Sequence, residues 1–194
     1  MHVLNRKNAH RVAVVVAAIA AIVFVPSPAG ADPGPEQHCV VVVDSGGGKG
    51  TELEVIDQRC FDQFSEVLDA VGAPADIRED VTSPDELSSS DMRRLAPTPG
   101  SERPPTYSAS AIIGIHYDGF SASGSSFSVS GSNCAGGCLN VSTAWNNRIS
   151  STVNGCPTIR HVDGFNLVGT SESTTGGGGN LSYMNNRTSS IQYL

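Results

Sequence analysis

The chain has 194 residues, with 12 Lys and Arg against 19 Asp and Glu, a formal charge of −7 and five Cys. An acid excess of that size argues against a nucleic-acid partner, because phosphate backbones are gripped by Lys and Arg. The acid is concentrated in the first half, whereas the last part is balanced, with Asp118, Asp163 and Glu172 against Arg148, Arg160 and Arg187.

Residues 1–31 read as a secretory signal. Arg6, Lys7 and Arg11 precede an apolar run from Val12 to Val25, Pro26 and Pro28 break that run, and Ala29-Gly30-Ala31 forms a small-residue cleavage site. The run is short of the roughly 20 residues a membrane span needs, so cleavage is expected and a retained anchor is the lesser alternative. Loss of three bases then takes the formal charge from −7 to −10. All five cysteines lie in the exported part, where disulfides persist. Pairing within each half joins Cys39 to Cys60, and Cys156 to Cys134 or Cys138. The expected set is Cys39, Cys60, Cys134 and Cys156, with an odd thiol left over.

Residues 32–72 suggest a small strand and helix segment. Cys39 to Val43 is a β-branched strand, and Asp44 to Thr51 is a Gly-rich connection. That connection lacks the Gly-Lys-Ser/Thr of a phosphate loop, because Gly50 follows Lys49. Thr51 to Ile56 reads as a second strand. Phe61, Phe64, Leu68 and Val71 fall at helical spacing, stopped by Gly72. Residues 73–107, rich in Pro, Ser and acid, are expected to be a weakly ordered linker with at most one helical turn near Asp91 to Leu95.

From 108 to 194 the texture changes to Gly, Ser, Thr and Asn between alternating apolar residues, which means short strands and tight turns. Two elements repeat. His116-Tyr117-Asp118-Gly119-Phe120 returns as His161-Val162-Asp163-Gly164-Phe165, with Gly124 returning as Gly169. Asn146-Asn147-Arg148-Ile149-Ser150-Ser151 returns as Asn185-Asn186-Arg187-Thr188-Ser189-Ser190. Two copies of about 40 residues, each with room for four strands, fit a pair of Greek keys. The duplicated hexapeptides are oxygen-rich, and oxygen from loops is what calcium takes as ligand.

On these residues the segment 108–194 resembles a microbial βγ-crystallin domain. That family has paired Greek keys with an aromatic hairpin and an Asn/Asp-Asn/Asp-x-x-Ser/Thr-Ser calcium signature. The signature matches in both copies, whereas the hairpin keeps Tyr117, Gly124 and Gly169 but has Ala122, Val162 and Leu167 in place of aromatics. The fold class implied is all-β, a sandwich of two Greek keys preceded by a small disulfide-stapled α+β segment and a disordered linker. The resemblance also implies two calcium sites. Arg148 and Arg187 would give backbone carbonyls, with their side chains free to point to solvent. Ser150 and Ser189 would give hydroxyls. Asp118 and Asp163 would reach across to the partner key's site, and Asn146, Asn147, Asn185 and Asn186 would shape the loops and help ligate. One carboxylate per site places affinity toward the weak end, roughly 10⁻⁵ to 10⁻³ M. Metal-free turns are the plain alternative.

The expected protein is therefore secreted, monomeric and non-enzymatic, with calcium as its ligand and a structural or stress-related role outside the cell. No Gly-x-Ser-x-Gly elbow or paired base supports catalysis, and no membrane partner is expected after signal cleavage. His116 and His161 are expected to pack or hydrogen-bond at strand ends, Trp145 to pack in the core, and Gly176 to Gly179 to fill a loop. The same resemblance implies one alternative function, a metallopeptidase inhibitor or killer-toxin-like protein. An extracellular protease or cell-surface component would then be the partner, and the loop from Cys134 to Cys138 its contact.

Overall fold

Ten strands pair into two sheets in the computed structural model, which describes residues 35–44, 48–96 and 111–194. The signal segment and residues 97–107 of the expected linker lie outside the described residues. Pro33–Leu194 forms one compact unit.

The C-terminal region is a sandwich of two Greek keys, read directly from its strand pairing. The first key contains β3 (Ala111–Tyr117), β4 (Ser126–Gly131), β5 (Cys138–Asn140) and β6 (Ser151–Asn154). The second contains β7 (Thr158–Val162), β8 (Ser171–Thr175), β9 (Gly178–Asn180) and β10 (Ser190–Tyr193). One sheet contains the order β4-β3-β6-β9 and the other is β5-β10-β7-β8. The third strand of each key thus crosses into the other key's sheet, and neither key completes a sheet alone. Gly178 and Gly179, expected in a loop, belong to this crossing strand β9. They pair with Val153 and Thr152, which side-chain-free backbone permits at close range.

Alternation along the strands fills the space between the sheets. Ile113, Phe127, Val129, Leu139, Ile149, Ile159, Met184, Ile191 and Tyr193 form that core with Trp145, whose ring lies 4.8 Å from that of Phe127. His116 and His161, one from each key, are fully buried. Their facing nitrogens are 3.3 Å apart, and His116 Nε2 lies 3.0 Å from the Tyr193 hydroxyl. Burial pushes both imidazoles down, His161 to about 4, because an imidazolium loses its hydration there.

The N-terminal half departs from expectation. Strand β1 (His38–Val43) pairs antiparallel with β2 (Val55–Phe61) and parallel with β4 of the first key. The hairpin therefore extends the key's sheet to six strands rather than forming a separate unit. All six residues of β1 are buried, which explains why the run is apolar without alternation. Cys39 and Cys60 face each other in the β1–β2 register and are bonded, as are Cys134 and Cys156, while Cys138 is free and buried.

Residues 73–96 are not a linker. After α1 (Phe64–Ala70) come α2 (Ala75–Asp80), a 3₁₀ turn (Pro84–Glu86) and α3 (Ser89–Leu95). Glu66 reaches back to the Gln63 N–H at the start of α1, and Ser88 and Asp91 form a capping box at α3. Ile77, Val81, Leu87, Met92 and Leu95 join Phe64, Val67 and Leu68 in a second core over the outer face of the first key's sheet, against Val40, Val42, Ile112, Ile115 and Tyr117. Ser, Asp, Glu and Arg dominate the exposed positions, so composition hides the apolar residues that dock. The result is a third, helical layer.

Candidate functional site

Both copies of the hexapeptide lie at the end of the sandwich where β3 and β7 finish and β6 and β10 begin. Each starts as a turn with its second Asn in the left-handed region, Asn147 at φ 60° and Asn186 at φ 55°. Asn tolerates that region because its side chain bonds locally. The two loops interlock. Asn147 N–H donates to the Thr188 carbonyl at 3.0 Å, and Asn186 N–H to the Ile149 carbonyl at 2.9 Å. Ser150 and Ser189, the fifth positions, are buried, and the Ser150 hydroxyl points to the Asn186 amide oxygen at 3.4 Å.

The sixth positions stitch each signature to its own key's hairpin. Ser151 donates to the Gly119 carbonyl and Ser190 to the Gly164 carbonyl, both at 2.6 Å. Their hydroxyls also accept from Ala122 N–H and Leu167 N–H, each at 3.1 Å. Asn140 on β5 holds the second hairpin through the Asn166 N–H, and Asn180 on β9 holds the first through the Ser121 N–H. The crossing strands therefore lock each hairpin loop from the opposite key, a role sequence reading had not assigned to Asn140 or Asn180.

Asp118 and Asp163 sit at equivalent places, each under a glycine. A Cβ on Gly124 would lie 2.3 Å from Asp118 Oδ1, and one on Gly169 would lie 2.1 Å from Asp163 Oδ1. Both glycines also have positive φ, 80° and 117°, so the repeated Gly provides backbone freedom and room for the carboxylate.

Each carboxylate is held by the arginine of its own key's signature. Arg148 donates to Asp118 Oδ2 at 2.7 Å, and Arg187 to Asp163 Oδ2 at 3.1 Å. Each guanidinium is thus tied to a carboxylate, while about half of each arginine side chain stays in solvent. Arg148 is anchored further by the Ala144 carbonyl at 3.0 Å and by the Trp145 ring, 5.2 Å to its centroid.

The first Asn of each signature carries the remaining unusual feature. The amide oxygens of Asn146 and Asn185 are buried and have no hydrogen-bond partner. An orphaned buried acceptor costs about 1–3 kcal/mol, and here it occurs twice at equivalent positions. Such a pair calls for a cation or an ordered water. The two signatures and the acid of each hairpin offer amide, hydroxyl, carbonyl and carboxylate oxygens, the donor types that suit a hard cation such as calcium. Among the described residues no group of three or more His, Cys, Asp or Glu gathers, so a zinc-type donor set is not assembled there.

Sequence reading also missed Glu172 on β8. Its carboxylate accepts from Ser182 N–H, the Ser182 hydroxyl and Met184 N–H at 3.0–3.1 Å, and these bonds hold its pKa below the usual range despite partial burial. It thereby braces the turn leading into the second signature. Being the third acid of a nearly neutral region was its only signal. The loop around Cys134 lies elsewhere and is pinned: Gly136 N–H donates to the Tyr193 carbonyl, and the Gly136 carbonyl accepts from Gly50 N–H and Gln192 Nε2.

No protein-family model and no curated protein matches the chain. Among solved structures it is similar to a βγ-crystallin domain from Clostridium beijerinckii, at 18% identity over 42% of this chain and 97% of that one, with a TM-score of 0.35. A βγ-crystallin from an archaeon is similar at 20% identity over 43% of this chain and 99% of that one, again with a TM-score of 0.35.

Proposed function

We propose that this is an exported, monomeric, non-enzymatic calcium-binding protein whose two weak sites, one per signature, stiffen the domain outside the cell. The observation that carries the reading is the pair of unsatisfied amide oxygens of Asn146 and Asn185 inside interlocked, oxygen-lined loops. Ser150, Ser189 and the carbonyls of Arg148 and Arg187 would complete each oxygen set, with Asn147 and Asn186 shaping the turn and Asp118 and Asp163 as the charged members. Because each loop is bonded to the other key, an ion held in either would brace both. The signal segment supports export, and millimolar calcium outside cells suits weak sites of this kind.

The test is a thermal melt of the oxidised chain from Asp32 to Leu194 after chelation and again with calcium. At a hundred-fold excess over Kd, one filled site adds about 2.7 kcal/mol, which for a chain of this size raises Tm by about 5 °C or more. Ser150→Ala with Ser189→Ala is expected to abolish that rise while leaving the chelated Tm within a few degrees. No rise in Tm together with no heat in a calcium titration would sink the reading.

A further inference from the structure

The two arginines that close the carboxylates are positively charged groups lying where a cation would be wanted. Each guanidinium sits on the Asp of its own key, at 2.7 Å for Arg148–Asp118 and 3.1 Å for Arg187–Asp163. The carboxylates are about three-quarters buried, whereas about half of each arginine side chain remains in solvent. Both arginines therefore have room to swing out, and both aspartates, fixed under Gly124 and Gly169, stay in place. Thr170 N–H further fixes Asp163 Oδ1 at 2.8 Å.

We infer that Arg148 and Arg187 are tethered competitors that set the affinity of the two sites, an inference that rests on the calcium reading above. With the guanidinium in place the carboxylate is neutralised and occupied. A calcium ion that takes Oδ2 must displace the guanidinium, and one that takes Oδ1 is repelled by the positive charge beside it. The residue at the third position of the signature thus acts in two ways. Its carbonyl belongs to the loop, and its side chain holds the loop's charge closed when the ion is absent.

The two competitors are unequal. Arg148 also bonds the Ala144 carbonyl and lies over the Trp145 ring, whereas Arg187 has only the longer contact to Asp163 among the described residues. Displacing Arg148 forfeits three contacts, and displacing Arg187 forfeits one. The pocket holding Asp163 should consequently fill first, although the two signatures match at every defined position.

Calorimetric calcium titrations of the oxidised chain, as wild type, Arg187→Gln and Arg148→Gln, test this. An exposed ion pair of this kind corresponds to a change of about two- to five-fold in a binding constant. The wild type should show two unequal steps. Each variant should tighten one of them, by about two-fold in Arg187→Gln and toward five-fold in Arg148→Gln. Melting in chelator is the independent readout: Arg187→Gln is expected to keep its Tm, because it loses one half-exposed contact. Arg187→Gln therefore remains informative even if Arg148→Gln, which loses its stacking on Trp145, folds poorly. Unchanged or weakened calcium binding in the Gln variants, beside a wild type that binds, would overturn the competitor role and leave the calcium reading standing. Absence of binding heat in the wild type and in both variants would overturn the calcium reading and this inference with it.

Discussion

At the scale of single residues, the repeated Gly and the buried His decide two outcomes. Replacing Gly169 by Ala forces a side chain to a φ of 117° and puts its Cβ 2.1 Å from Asp163 Oδ1. The backbone strain alone costs about 1–3 kcal/mol, and the carboxylate must move. Gly169→Ala is therefore expected to melt several degrees lower in chelator and to lose the calcium response proposed for one site. The histidines act through pH. His161 has its pKa lowered to about 4, and His116 and His38 are lowered by burial as well, while the Glu172 carboxylate opposes the shift at His161. An unfolded His binds its proton near 6.5, so between that pH and about 4 the unfolded chain carries more protons. Stability is then full above pH 6.5 and is lost as pH falls toward 4. A shift of this size in His161 is worth on the order of 3 kcal/mol. Melting curves from pH 8 to pH 4 should show the decline, and His161→Gln should flatten it. Both features were legible only in part. The repeats marked His116, His161 and the two glycines as fixed positions, since a repeat is visible along the chain. That the rings meet across the sandwich, or that Arg148 folds back on Asp118, depends on side-chain directions that only the packed keys define.

At the scale of elements, the signatures and their strands could be read locally, whereas the helical layer could not. Turn chemistry in Asn146-Asn147 and Asn185-Asn186 depends on neighbouring backbone, so the hexapeptide marked its own conformation. In 73–96 the docking residues Ile77, Val81, Leu87, Met92 and Leu95 are too widely spaced for one amphipathic helix, because they belong to two short helices and the turns beside them. What makes them helical is the apolar outer face of β1 and β3, a tertiary cause. Leu68 and Met92 are buried in that layer. Replacing either by Ala should cost about 2–5 kcal/mol, measured by denaturant unfolding. Glu79→Gln, on the exposed side of α2, should fall within about 0.5 kcal/mol of wild type.

At the scale of the molecule, the helical layer and the keys share a sheet, and they should unfold together in one transition. A chain cut to Ser108–Leu194 exposes Ile112, Ile115 and Tyr117 and strips β1 from the edge of β4. Re-exposing three large side chains forfeits roughly 5 kcal/mol or more, so the fragment is expected to melt well below the full chain and to aggregate through its bared edge. Light scattering during a thermal ramp would show it. Reducing the disulfides relaxes two loops of 21 and 22 residues, each worth about 3 kcal/mol in the chain-entropy model.

The parallel pairing of β1 with β4 has a consequence for how the chain is made. His38 lies opposite Ser126, 88 positions later. As the polypeptide emerges from its N-terminus, the β1–β2 hairpin is complete long before its neighbour exists, so an apolar, fully buried strand waits with one edge open. Pairing over such a separation is slow, because the intervening loop must close first. The early Cys39–Cys60 bond can fix the hairpin, but only arrival of the first key can cover it. Newly made chains are thus expected to associate with one another most readily in that interval, before the first key covers β1.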